Sequence, residues 1–129
     1  WSVTSYGELR REGLEHERSR RLNPDISEEP YVYSCFGDGT PTVATSDYIC
    51  SVPEMIQRWV GGKYIVLGTD GFGRSDTRES LRSFFEIDTN SIVVAAISAL
   101  EQEGKLPSGT VEKELENRNL NKERIDKTE

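Results

Sequence analysis

Apolar and polar positions along this chain of 129 residues change period several times, and each change marks an element. The opening "WSVTS" alternates Trp1, Val3 and Ser5 with Ser2 and Thr4, a two-residue period consistent with a strand over 1–5. In "YGELRREGLEHERSRRLNP" only Leu9, Leu14 and Leu22 stand among nine charges, which predicts a helix over 8–22 lying on the rim. Opposite charges at helical spacing, Glu8 to Arg11 and Glu17 to Arg21, support it, Gly13 weakens it, and Asn23 with Pro24 ends it. "PYVYSCF" and "PTVATSDY" bracket "GDGT", where Asp38 and Gly39 suit a tight turn with positive φ. A hairpin is one reading, and a short turn-and-helix piece for the first run is the other; the second run reads as a strand over 41–46 in either case.

"ICSVPEMIQRWV" brings Ile49, Val52, Met55, Ile56 and Trp59 near helical spacing, predicting a helix over 51–59 started by Ser51 with Pro53 in its first turn. Gly61 and Gly62 stop it before the apolar run Tyr64 to Leu67, the pattern of a central parallel strand over 63–69 covered on both faces. Asp76 with Glu79 three residues on has capping-box spacing for a helix over 77–86, whose buried stripe is Leu81, Phe84 and Phe85. From Ile92 to Leu100 the chain is apolar on nearly every side, so a helix over 90–103, stopped by Gly104, reads as buried between layers. A short helix over 109–118 with Val111 and Leu115 docking precedes a charged end.

Strand and helix alternate, so the fold class is α/β: a three-layer sandwich whose mostly parallel sheet is flanked by helices. Three strands make a thin sheet, and a chain that opens on Trp1 within a strand-like run reads as a piece of a longer polypeptide whose upstream elements complete that sheet.

Composition narrows the function classes. An apolar fraction of 34% and a charged fraction of 30% fit one globular core with a polar periphery, and no apolar run approaches the ~20 residues of a membrane span. The net charge of −7 repels phosphate backbones and anionic lipid, so neither nucleic acid nor membrane is an expected partner. Cys35 and Cys50 are the only cysteines and His16 the only histidine, too few for a structural zinc site. Two reduced thiols in an intracellular, cytoplasmic protein are the plain reading, with His16 a solvated surface residue.

The candidate chemistry lies in "GTDGFGRSD", residues 68–76, at the carboxyl end of the best strand, where open α/β sheets bind ligands. Gly68, Gly73 and Ser75 fall in register with a phosphate-binding loop, with Arg74 in place of its lysine. Asp70 within the would-be cradle and Asp76 at the helix start oppose an anion there. The dinucleotide fingerprint fails as well, because Gly71-x-Gly73-x-x ends on Asp76. The reading that remains is structural: Gly68, Gly71 and Gly73 supply turn geometry around Phe72, Asp76 caps the helix after Ser75, and Asp70 pairs with Arg74 in the loop or across an interface. No nucleophile elbow or close carboxylate pair is evident elsewhere.

"WSVTSYGELRREGLEHERSRRLNP", "TVATSDYICSVPEMIQRWV" and above all "VLGTDGFGRSDTR" resemble the C-terminal domain of the homodimeric bacterial pyruvate dehydrogenase E1 component, in order from residue 1 to about 106. The resemblance implies a transketolase-like C-terminal domain over residues 1–106 whose first strand and helix precede Trp1, with 107–129 a short helix and charged tail. It implies a full-length enzyme that decarboxylates pyruvate with thiamine diphosphate and Mg²⁺ and passes the two-carbon unit to the lipoyl group of E2, the dihydrolipoyl acetyltransferase. In such enzymes cofactor and metal sit in the two preceding domains. "GDG" at Gly37 to Gly39 lacks the asparagine and the strand-loop-helix setting of a diphosphate motif. No catalytic, cofactor or metal residue is therefore expected in this chain, and its partners are the rest of its own chain, the E1 homodimer and E2. Another transketolase-group enzyme, or a free-standing module binding a protein through its acidic face, are the competing readings.

Overall fold

The computed structural model describes residues 1–71, 73–120 and 122. Among them, residues 1–5 form no strand. Ser5 has extended backbone but its side chain accepts the Glu8 amide at 3.2 Å, so it caps helix α1 (Tyr6–Leu22), and capping rather than pairing explains the polar residue at the end of the alternation. Trp1 is 88% exposed and meets the Phe36 ring edge-on at 5.5 Å.

Of the two readings of the next stretch, the helix is the one realised: α2 is Tyr31–Phe36, entered through Pro30, with Val32 in the core. "GDGT" joins α2 to strand β1 (Thr42–Thr45); Gly39 takes φ 88°, and Asp38 accepts the Thr40 amide at 2.9 Å, which holds its carboxyl below the usual range. A 3₁₀ helix, Pro53–Trp59, replaces the expected α-helix. Ser51 does not cap it; it enters through Val52, and the Pro53 carbonyl receives the Tyr64 hydroxyl at 2.8 Å. Strand β2 is Tyr64–Leu67, parallel to β1 in the register Thr42↔Tyr64 to Thr45↔Leu67. The described sheet thus has two strands rather than three.

Helices α3 (Arg78–Phe84), α4 (Thr89–Gln102) and α5 (Thr110–Asn117) follow. Across Arg78–Gln102 an 18-residue window reaches a mean hydropathy of 1.3, yet Glu86 at φ 57° divides the segment into helices of 7 and 14 residues. Each is short of the ~20 residues that cross a bilayer.

One core lies between α1, α2 and the 3₁₀ helix, where Val32, Ile56 and Trp59 are 1%, 2% and 6% exposed and Tyr6, Leu9 and Leu14 pack against them. Helix α1 is therefore not confined to the rim. Gly13 is buried, and a Cβ there would fall 2.5 Å from Trp59 Cζ2, so the residue that weakens the helix locally is the one that lets the indole dock. Glu17 turns to this contact and not to Arg21: it accepts from Trp59 Nε1 at 3.1 Å and Arg58 at 2.9 Å. His16 is partly covered and meets Glu12 at 2.9 Å, so it is not simply solvated, whereas Glu8 and Arg11 pair as expected at 3.0 Å.

On the other face of the sheet, Ile65 and Leu67 share a cleft with α4 and α5. Phe85, Ile87 and Ala99 are buried, but Ala99 is the only buried residue of α4, so this apolar helix is half covered rather than enclosed between layers. Glu101 ties α5 to it, accepting the amides of Gly109 at 2.6 Å and Val111 at 2.9 Å. That carboxylate supplies the cap that Gly109, lacking a side chain, cannot.

Candidate functional site at the strand ends

Parallel pairing of β1 and β2 brings the segments after both strands to one end of the sheet. Gly68 continues β2 in close approach to the backbone after β1: a Cβ would lie 2.7 Å from the Tyr48 carbonyl oxygen and 3.0 Å from Cys50 Sγ. Thr69 donates its amide to Tyr48 O at 2.9 Å and its hydroxyl to Asp47 O at 2.8 Å. Asp70 Oδ1 accepts the Cys50 amide at 2.8 Å. Three hydrogen bonds thus fasten one strand-end loop to the other, the last of them charge-assisted.

Of the predicted site residues, Asp70 and Arg74 are not a pair. Asp70 is committed to Cys50, and the Arg74 guanidinium lies over the Phe84 ring at 4.4 Å, a cation–π contact that draws it toward α3. The glycines divide by role. Gly71 takes φ 105° and supplies the turn, and Gly68 permits the close backbone approach. A Cβ on Gly73 would meet nothing within 4 Å, so its neighbours leave room for a side chain there. Phe72 lies outside the described residues. Ser75 is exposed.

The cap of α3 is displaced by one residue from its expected place. Thr77 is the N-cap, its hydroxyl accepting from the Ser80 amide at 3.3 Å, while Asp76 Oδ1 accepts the Thr77 amide at 2.7 Å just outside the helix. Both residues are good caps, and the Asp76 carboxylate reaches the nearer donor.

In a phosphate cradle the basic residue and the hydroxyl stand at the helix start beneath free amides. Here Arg74 and Ser75 precede the cap, Arg74 is turned onto a ring, and Asp70 and Asp76 occupy amides at 2.8 and 2.7 Å. The residues do not fit a diphosphate, and among the described residues no group of three or more His, Cys, Asp or Glu side chains could hold a metal ion. A neighbouring polar cleft of about 600 Å³ is bordered by Asp47, Glu79, Arg82 and Asp88. Asp88 is spent on the fold, accepting the Ser91 amide at 2.9 Å and hydroxyl at 2.6 Å as the cap of α4. Among the described residues, Cys35 and Cys50 are not joined in a disulfide.

Sequence reasoning missed Cys50 as the partner of Asp70, 20 residues away, because any of several amides could serve a carboxylate in a loop. The glycine at 68 was the one available signal of a close approach.

Comparison with known proteins agrees with the α/β fold. Residues 1–88 match the Transketolase-like TK C-terminal domain family. The chain is 49% identical over 109 residues to the pyruvate dehydrogenase E1 component of Pseudomonas aeruginosa and 47% identical over 108 to that of Mycolicibacterium smegmatis, covering 82% of this chain and 12% of each relative. The Escherichia coli K12 protein of the same name is 39% identical over 127 residues, or 97% of this chain and 14% of that one. The chain therefore spans about an eighth of the length of these relatives, and it belongs to the transketolase-like C-terminal domain family.

Proposed function

We propose that this chain is the noncatalytic C-terminal part of a pyruvate dehydrogenase E1 component. The whole chain, a cytoplasmic homodimer, decarboxylates pyruvate with thiamine diphosphate and Mg²⁺ and reductively acetylates the lipoyl group of E2. The observation that carries the reading is the commitment of the strand-end loop to the fold: Asp70 and Asp76 hold the amides of Cys50 and Thr77, and Thr69 ties back to Asp47 and Tyr48. A loop so used supplies shape and rigidity, which suits a platform that stabilises the fold and the dimer while other domains hold the cofactor. The names of relatives 39–49% identical to the chain, each about eight times as long as the matched stretch, support the assignment to E1.

Calorimetric titration tests the division of labour. The isolated chain is expected to give no micromolar binding of thiamine diphosphate with Mg²⁺, and the whole protein is expected to bind both and to acetylate E2 from pyruvate. Micromolar binding by the isolated chain would sink the noncatalytic reading. A whole protein that transfers two-carbon units from ketose phosphates but leaves pyruvate untouched would move the assignment to another transketolase-group enzyme.

A further inference from the structure

Helix α1 carries five arginines and four glutamates, and they are not mixed around its circumference. Gly7, Arg10, Arg11, Leu14, Arg18 and Arg21 recur at helical spacing and line one shallow groove of about 420 Å³. At 1.5 Å per residue the stripe runs about 21 Å. Four positive charges stand along it in a chain whose net charge is −7, with Glu15 as the one carboxylate at its margin.

The ion pairs along this stripe are open to solvent. Arg18 reaches Glu15 at 3.7 Å and Arg11 reaches Glu8 at 3.0 Å, all four side chains being more than half exposed. Arg10 and Arg21 have no ion partner among the described residues. Exposed pairs of this kind contribute little and are readily exchanged for carboxylates arriving from outside. Guanidinium forks match carboxylates bidentately, Gly7 admits a close backbone, and the part of Leu14 left uncovered by the core offers a central apolar contact.

We infer that this face of α1 docks an acidic segment of another polypeptide, one helix or extended strand wide, with an apolar residue opposite Leu14. Charge complementarity selects the occupant. A duplex or an anionic membrane presents phosphates over a surface broader than the stripe, and those would meet Glu8, Glu12 and Glu15 on its flank; a single acidic segment meets the arginines with only Glu15 at their margin.

Fluorescence polarisation with a labelled deca-glutamate peptide and the whole protein tests this. Wild type is expected to bind the peptide in low salt, with affinity falling about tenfold between about 50 and 200 mM salt. R10E/R21E is expected to lose at least about tenfold and R10Q/R21Q somewhat less, while R20Q, whose arginine faces Glu29 at 3.2 Å off the stripe, stays within about twofold. Circular dichroism melting checks that each variant remains folded. Absence of peptide binding in low salt, equal loss in R20Q, or retention in both double variants would overturn the inference. Tighter binding of a 20-base-pair duplex or of phosphatidylserine vesicles than of the peptide would overturn it too.

Discussion

Gly13→Ala sets two effects of opposite sign against each other at one position. In an isolated helix alanine is favoured over glycine by about 1 kcal/mol. At Gly13, however, the new methyl would lie 2.5, 2.6 and 2.7 Å from Cζ2, Cε2 and Cη2 of Trp59. Carbon atoms rest at about 3.5–4.0 Å, so the indole must retreat by about 1 Å. It has little room to do so, being 6% exposed, packed with Val32 and Ile56, and anchored through Nε1 to Glu17 at 3.1 Å. Overpacking of this kind costs about 1–3 kcal/mol, and an overlap this large belongs in the upper half of that range. The net expectation is a loss of about 1–2 kcal/mol, or a melting temperature lower by about 3–8 °C. Urea unfolding followed by tryptophan fluorescence and by circular dichroism measures it. Trp59→Phe removes the benzo ring that the methyl strikes, so the double mutant should lose less than the sum of the single losses. A rise in stability on Gly13→Ala, or strict additivity in the cycle, would refute the steric argument.

Three further outcomes are expected. Asp70→Ala removes the charge-assisted bond to the Cys50 amide and should lower the urea midpoint by the equivalent of about 1–1.5 kcal/mol with an unchanged slope, the low end of the range because Asp70 is exposed; Asp70→Asn, which keeps an acceptor, should lose less, and an unaltered midpoint in Asp70→Ala would count against the tie. Thr77→Ala should cost about 1 kcal/mol through loss of the α3 cap and exceed Asp76→Ala; the reverse order would return the cap to Asp76. Burial raises the Tyr64 phenol above its ordinary value, so the folded state keeps the proton that the unfolded chain releases; its contribution is full below about pH 10 and declines as pH rises beyond it. Tyr64→Phe should flatten this alkaline decline in denaturation curves taken from neutral pH upward, and an unchanged decline would exclude Tyr64 as its source.

Legibility in the sequence tracked how local each cause is. Strand β2 was plain because Tyr64 to Leu67 is apolar on both faces, and the end of α4 was plain because Gly104 adopts φ 73° where a helix stop was expected. The supposed strand at 1–5 failed because a serine in an alternating run serves equally well as a helix cap. The cap of α3 shifted because Asp76 and Thr77 are adjacent and both competent. Gly13 was misjudged for a different reason: its role depends on Trp59, 46 residues on, and no periodicity within α1 refers to that ring. The candidate loop was found by its position after β2, but the partner of Asp70 and the stacking of Arg74 on Phe84 are tertiary facts.

The ties from Thr69 and Asp70 to Asp47, Tyr48 and Cys50 have a mechanical consequence. Two loops that leave neighbouring strands would ordinarily fluctuate independently, each on its own stalk. Riveted at three points across 20 or more residues of chain, they behave as one stiff lip, so a push on Tyr48 is delivered at Asp70 without first deforming the sheet. Substitutions along the first loop should therefore be felt in the second, and whatever surface rests against this rim meets a single rigid edge.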